Sequence, residues 1–296
     1  MTDSMSSLGR KIKSAGDLRS VVRTMKILAA SSIGQYEKSV RALADYYQTV
    51  ELGLAACLRE SEPANLTIND NAQIRETDTI GAIVFGSDQG LVGQFNDVVA
   101  DYAIKTLAAL PGKAKVWAVG ERVYARMADA GMTEIGLFKV PNSVKGITPL
   151  VSQIQIESEA RRLSGDYTSL FVFHNRQQTE ALYEPVCRRL LPLDRQWQQG
   201  VSKVPWPSLN LPEVRGGSTT LHALIREYLF ISLFQACAES LASENASRLA
   251  AMQRADRNIE ELLENLHGKF HRLRQTSIDE ELFDVISGSE ALAKQK

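Results

Sequence analysis

The sequence predicts an α/β fold: a long antiparallel coiled coil of the N- and C-terminal helices, with a compact α/β domain between them. Three observations predict it. All nine prolines lie from Pro63 to Pro212, so both ends are free of the strongest helix breaker. In both ends apolar residues recur at alternating steps of four and three, the 3.5-residue period of a helical seam. Between the ends, short apolar runs alternate with amphipathic ones, the pattern of a mostly parallel sheet with helices on its faces.

The first helix is expected over Met5 to Arg59. Its seam is Tyr36, Val40, Leu43, Tyr47, Val50, Leu54 and Cys57. Gly9, Gly16, Gly34 and Gly53 each weaken it by up to about 1 kcal/mol and leave room for close approach of another chain. The last helix is expected over Ser218 to Ser287. Ile259, Leu263, Leu266, Phe270 and Leu273 carry its seam, with Leu221, Leu224, Tyr228, Leu241, Asn245 and Met252 roughly in phase. Such a pattern far exceeds the mean helix of about 11 residues in globular proteins. The simplest way to bury two matching seams is to pair the two ends with each other. In the middle, Asp78–Phe85, Ala114–Val119, Thr133–Val140 and Tyr167–His174 read as strands. Asn96–Leu110, Glu121–Ala130 and Thr148–Leu163 read as helices. The residues from Asp194 to Gly217 read as a long loop. The division is thus 1–60, 75–195, 196–217 and 218–290.

The stretch "FGSDQGLVGQFN", Phe85 to Asn96, links a strand to a helix in the manner of a phosphate-binding loop. Its glycines, Gly86, Gly90 and Gly93, miss the dinucleotide spacing G-x-G-x-x-G. The loop ends on Gln94 and Phe95 where a Walker loop has Lys and Ser or Thr. Asp88 inside it would repel an anion. A tight turn with Asp88 or Asn96 capping the next helix is the reading preferred here. His267 and His271 have a zinc-compatible spacing without a third ligand, and read as solvated polar-face residues. His174, at a strand end, has no nucleophile beside it and reads as a satisfied histidine. No metal or cofactor site is expected.

Composition narrows the class further. Hydrophobic residues make up 44% and charged residues 23%, with a net charge of −1, which points to neither nucleic acid nor a membrane surface. No apolar run is long enough to span a bilayer. Cys57, Cys187 and Cys237 lie far apart and suggest neither a disulfide framework nor zinc. Residues 1–30 hold six basic side chains (Arg10, Lys11, Lys13, Arg19, Arg23, Lys26) against Asp3 and Asp17, a local excess of +4. Lys269, Arg272 and Arg274 continue the basic character near the other terminus. A basic collar facing an acidic partner is one reading, and a solvated face the other.

Three motifs resemble those of a known family, the gamma subunits or central rotor shafts of F-type rotary ATP synthases. "RSVVRTMKILAASSI" (Arg19–Ile33) is similar to its N-terminal block and "SDQGLVGQFN" (Ser87–Asn96) to its glycine block. The stretch from Glu239 to Leu292 is similar to its C-terminal block almost end to end. The resemblance implies a non-catalytic subunit with a Rossmann-like middle domain and a structural glycine loop. It implies alpha and beta subunits, three each, as partners, with the epsilon subunit and the c-ring below, and places the chain on the cytoplasmic face of a bacterial inner membrane. It also implies contact residues for the alpha/beta ring: Arg23, Met25 and Lys26 near an acidic lever of beta, Arg274 and Gln275 on a loop of beta, and Asp279 close by.

Several positions depart from the family pattern. Val92 replaces a usual cysteine, the N-T-x-K-I-T run is missing before Met25, Asp279 stands where threonine is common, and "HGKFHRLRQ" replaces a tyrosine–asparagine form. These suggest a divergent member, such as a second-copy or sodium-coupled type. Two alternatives stand beside this reading: a nucleotide-binding Rossmann-type enzyme, and a coiled-coil scaffold dimerising through its heptads.

Overall fold

The structure is a computed structural model, and it describes residues 4–60, 77–132, 135–178, 182–193, 197, 200, 206 and 217–293. Two long helices, α1 (Met5–Glu60) and α5 (Gly217–Ala293), enclose in sequence a set of shorter elements. These are β1 (Thr79–Phe85), α2 (Phe95–Ala109), β2 (Lys113–Val119), α3 (Glu121–Asp129), β3 (Ile135–Phe138), α4 (Val144–Leu163), β4 (Ser169–Arg176) and β5 (Glu184–Leu191). Most of the expected loop from Asp194 to Gly217 lies outside the described residues. The chain divides into two compact units: Met1–Leu28 with Leu249–Lys296, and Ala29–Arg248.

In the larger unit the strands form one sheet of order β3-β2-β1-β4-β5. β1, β2, β3 and β4 run parallel, and β5 pairs antiparallel with β4. Alternation along the strands builds two cores. Ile80, Ala82 and Val84 of β1 pack under α2 and α3 with Val99, Ala103, Val123 and Met127. Ile83 and Phe85 face the other way, into a core with Ile147, Val151 and Ile154 of α4. Tyr36 of α1 and Leu233, Phe234, Cys237 and Leu241 of α5 join that second core. The paired terminal helices therefore serve this unit as a covering layer of the sheet.

The seam between α1 and α5 in this unit is antiparallel, as their period predicts. Val50, Leu54 and Cys57 meet Leu221, Tyr228 and Ile231. Gly53 permits this closeness, since a Cβ there would lie 3.2 Å from Leu224. The close approach allowed by that glycine is thus made within the chain. In the smaller unit the same polarity holds. Leu8, Ile12 and Ala15 pack on Leu263, Leu266, Phe270 and Leu273. Val22 and Met25 pack on Ala251, Met252, Ala255 and Ile259.

Two local differences have physical causes. α4 begins at Val144 rather than Thr148, leaving Pro149 inside the helix, because the fully buried Ile147 draws one more turn onto the sheet. β5 is absent from the sequence reading, since "EPVCRRLL" has a proline, Pro185, at its second position and carries two arginines. It is an edge strand of mostly half-buried residues, where proline is tolerated.

Candidate functional site

The glycine loop follows β1, beside the point between β1 and β4 where the strand order reverses. Open α/β sheets bind ligands in the crevice at such a point. Here the chain fills that crevice itself. Asn96 Oδ1 accepts from Ser87 N at 2.9 Å, and Asn96 Nδ2 donates to Ser87 Oγ at 2.8 Å. Asn175, at the end of β4, donates to Phe95 O at 2.9 Å. Two serines of α5 close the space from above: Ser243 Oγ donates to Asn175 O at 3.1 Å, and Ser247 Oγ to Val92 O at 2.5 Å.

Asp88 does not cap α2, as the sequence suggests. Its Oδ1 accepts from Glu121 N, the first amide of α3, at 3.0 Å, and its Oδ2 from Val140 N at 3.0 Å. Nor does Asn96 cap α2. The N-cap position there is Gln94, without a side-chain hydrogen bond. The negative charge that a helix start attracts is therefore supplied by the protein, from a loop 33 residues away in sequence. Gly93 has the positive φ glycine tolerates, and so does the non-glycine Leu91 at 63°, whose apolar side chain is exposed at the tip. Loss of Asp88 leaves two amides without their acceptor. We expect Asp88→Ala to lower stability by about 2 kcal/mol, read as a shift in urea midpoint.

The basic residues near the N-terminus also find partners within the chain. Asp256 of α5 accepts from Arg19 Nε at 3.2 Å and Lys26 Nζ at 3.0 Å, with Arg23 Nε at 3.5 Å. Arg19 also reaches Glu260 at 2.5 Å. Lys26, ahead of Arg19, holds the Asp256 carboxyl below its usual range. Glu260 and Asp256 raise Arg19 in turn. The expected collar of Arg19, Arg23 and Lys26 is thus largely neutralised. Three cations against Asp256 and Glu260 leave +1. Asp256 went unnoticed in the sequence because it is a lone acid in an alanine-rich turn, and only the pairing of the helices brings it to those cations. Met25 is half-buried in the adjoining seam.

Arg274, Gln275 and Asp279 form a second group. They lie on α5 about 27 Å or more beyond Asp256, at 1.5 Å per residue, and are exposed. The structure therefore does not gather the six contact residues into one site. The apolar seam of the smaller unit ends at Leu273. From Arg274 to Ser287 every side chain except the half-buried Ser277 is exposed, and Ile278, Leu282, Phe283, Val285 and Ile286 are among them.

The histidines sit in two kinds of surroundings. His174 is buried, with Nε2 at 2.8 Å from Glu239 Oε2. Burial pushes Glu239 up, but the His174 hydrogen bond leads a set of interactions that hold it below its usual range. His267 and His271 are exposed and stacked. Among the described residues no cluster of three or more His, Cys, Asp or Glu could hold a metal ion. No described helix is long and apolar enough to cross a membrane.

Comparison with known proteins agrees with this arrangement. A family model described as ATP synthase matches residues 4–292. The ATP synthase gamma chain of Dechloromonas aromatica is 25% identical over 288 residues, covering 95% of this chain and 97% of its own. That of Cupriavidus pinatubonensis is 28% identical over 295 residues, with the same coverage. A chain in the Euglena gracilis mitochondrial ATP synthase (OSCP, F1 and c-ring, rotational state 3) has the same fold. It superposes with a TM-score of 0.67 over 99% of this chain and 96% of its own, at 14% identity.

Proposed function

The chain belongs to the ATP synthase family, as a gamma subunit of a rotary ATP synthase, and we propose that it is the shaft coupling ion flow to the catalytic beta subunits. The observation that best supports this is the free end of α5. Its 14 residues from 274 to 287 amount to roughly 20 Å of helix with no apolar seam among the described residues. Five large apolar side chains are exposed there over a wide arc. Apolar surface of this kind marks a partner interface. A ring of alpha and beta subunits closed around the helix covers such an arc, whereas a flat partner covers one stripe.

Rotation of an asymmetric shaft then presents a different face to each beta subunit in turn, and the conformations of the three cycle with it. Arg23, Met25 and Lys26 on one level, and Arg274, Gln275 and Asp279 on another, are the residues proposed to touch the ring. The glycine loop is proposed as a structural joint, with Gly86, Asp88, Gly90 and Gly93 shaping it. The chain itself has no catalytic role and needs no cofactor in this reading. Its place is peripheral, on the cytoplasmic face of a bacterial inner membrane, above the c-ring and beside the epsilon subunit. The proposed division remains 1–60 and 218–290 for the shaft helices, 75–195 for the α/β domain and 196–217 for a loop.

The scaffold alternative needs its heptad seam free for a second copy, yet the seam residues of α1 and α5, such as Val50, Leu54, Leu221 and Tyr228, and Leu8, Val22, Ile259 and Leu266, pack within the chain. The enzyme alternative needs an open crevice, and α5 fills it.

Reconstitution tests the proposal. The chain is mixed with alpha and beta subunits from the same operon, and assembly and ATP hydrolysis are measured. We expect one copy per three alpha–beta pairs, and hydrolysis about tenfold lower for Arg274→Ala/Gln275→Ala, the effect of losing a modest hot spot. No assembly, together with stoichiometric ATP binding by the chain alone, overturns it.

A further inference from the structure

Asp256 is the only described carboxylate bonded to three cations of the opposite helix, at 3.0 to 3.5 Å. Its side chain is 15% exposed, against 22% for Arg19, 34% for Lys26 and 55% for Arg23. The cluster therefore has an inside and an outside. Arg19 and Lys26 are committed to the helix pair, and Arg23 makes the longest contact and turns most to solvent.

The apolar seam at this level is made of small or flexible residues: Ala251, Ala255, Met25 and Met252, with Val22 and Ile259. Low ridges define register poorly, because a slide of one turn exchanges apolar surface for apolar surface. A buried or half-buried polar pairing is a well-attested device for fixing register in such seams. Arg19, Arg23 and Lys26 are spaced i, i+4, i+7, so they form one face two turns long with Asp256 opposite its middle. A slip of one turn, about 5.4 Å, breaks one of the two ion pairs of Arg19, that with Asp256 in one direction and that with Glu260 in the other.

Register matters for a shaft. Torque on two side-by-side helices tends to slide one along the other, and a pair that slides stores the twist instead of passing it on. We propose that Asp256 is a positioning residue for torque transmission, clamping α1 against α5 so that twist is passed on without slip and Arg23 is left as the cation available to an acidic partner. This rests on the shaft reading above.

The test uses the complete complex in inverted membrane vesicles, carrying Asp256→Asn, Asp256→Glu or Arg19→Gln. ATP hydrolysis is measured beside ATP-driven transport, the latter as quenching of a pH-sensitive dye and, in parallel, as sodium-22 uptake. We expect Asp256→Asn and Arg19→Gln to keep hydrolysis within about twofold while ions moved per ATP fall about threefold or more, with Asp256→Glu retaining the ratio. A merely structural role lowers hydrolysis and transport in proportion. That result, an unchanged ratio in Asp256→Asn, or failure of that variant to assemble overturns the clamp. Failure of the wild-type chain to assemble instead overturns the shaft reading, so the two are told apart.

Discussion

Glu244→Ala is expected to lower the stability of the chain by about 3 kcal/mol or more, because it leaves a guanidinium without its counter-charge inside the protein. Arg248 Nη2 and Glu244 Oε1 are 2.7 Å apart, with side chains only 12% and 7% exposed. Burial pushes the Glu244 carboxyl up, while Arg248 opposes that shift. The pair is also under-bonded, since Glu244 Oε2 and Arg248 Nε have no partner among the described residues. Such a pair adds little net stability over an apolar filling of the same shape, yet loss of one member is costly. The two effects separate in a cycle. Glu244→Ala and Arg248→Ala each shift the urea midpoint strongly, and the double variant shifts it by much less than their sum. Additive losses would mean that the two charges are solvated independently.

Gly120→Ala is expected to cost at least about 3 kcal/mol. Gly120 follows β2 and caps the start of α3 with φ 118° and ψ 135°, a region essentially restricted to glycine that costs any other residue about 1–3 kcal/mol. An added Cβ would also lie 2.8 Å from the backbone N, C and O of Ser87, so the strand-end turn carrying the glycine loop has to move. Moving Ser87 strains its bonds to Asn96 and to Arg122 N. Gly131→Ala is the control. Its φ is +83° but nothing lies within 4 Å of the new Cβ, so only backbone strain of about 1 kcal/mol applies. Equal losses at the two positions, measured by urea unfolding followed at Trp117, would refute the steric part of the argument.

The terminal helices were legible because a long seam repeats its signal many times, and each of Tyr36, Val50, Leu54, Leu221, Tyr228 and Leu266 falls on the buried stripe. The parallel strands were legible as unbroken apolar runs such as Ile80–Phe85. What escaped was set by neighbours distant in sequence. β5 owes its strand form to pairing with β4 rather than to its own residues. Asp88 reads locally as a cap for the next helix, but caps the one after. Asp256 and Ser247 look like ordinary polar helix residues, and acquire their roles only when α5 lies against Lys26 and Val92. The motif-level resemblance reached the family, but not these contacts.

The clamp joins residues made at opposite ends of synthesis. Arg19 and Asp256 are 237 positions apart. At about 5–20 residues per second a ribosome adds Asp256 roughly 10–50 s after Arg19. For all that time Leu8, Ala15 and Val22 have no native cover in their own unit, while the strands of the sheet, all between residues 79 and 191, are made before the last helix. The nascent N-terminal segment therefore waits with its apolar stripe lacking that cover until the last helix leaves the exit tunnel. Truncation of the message before codon 256 would leave that segment permanently without its partner and mark the product for proteolysis.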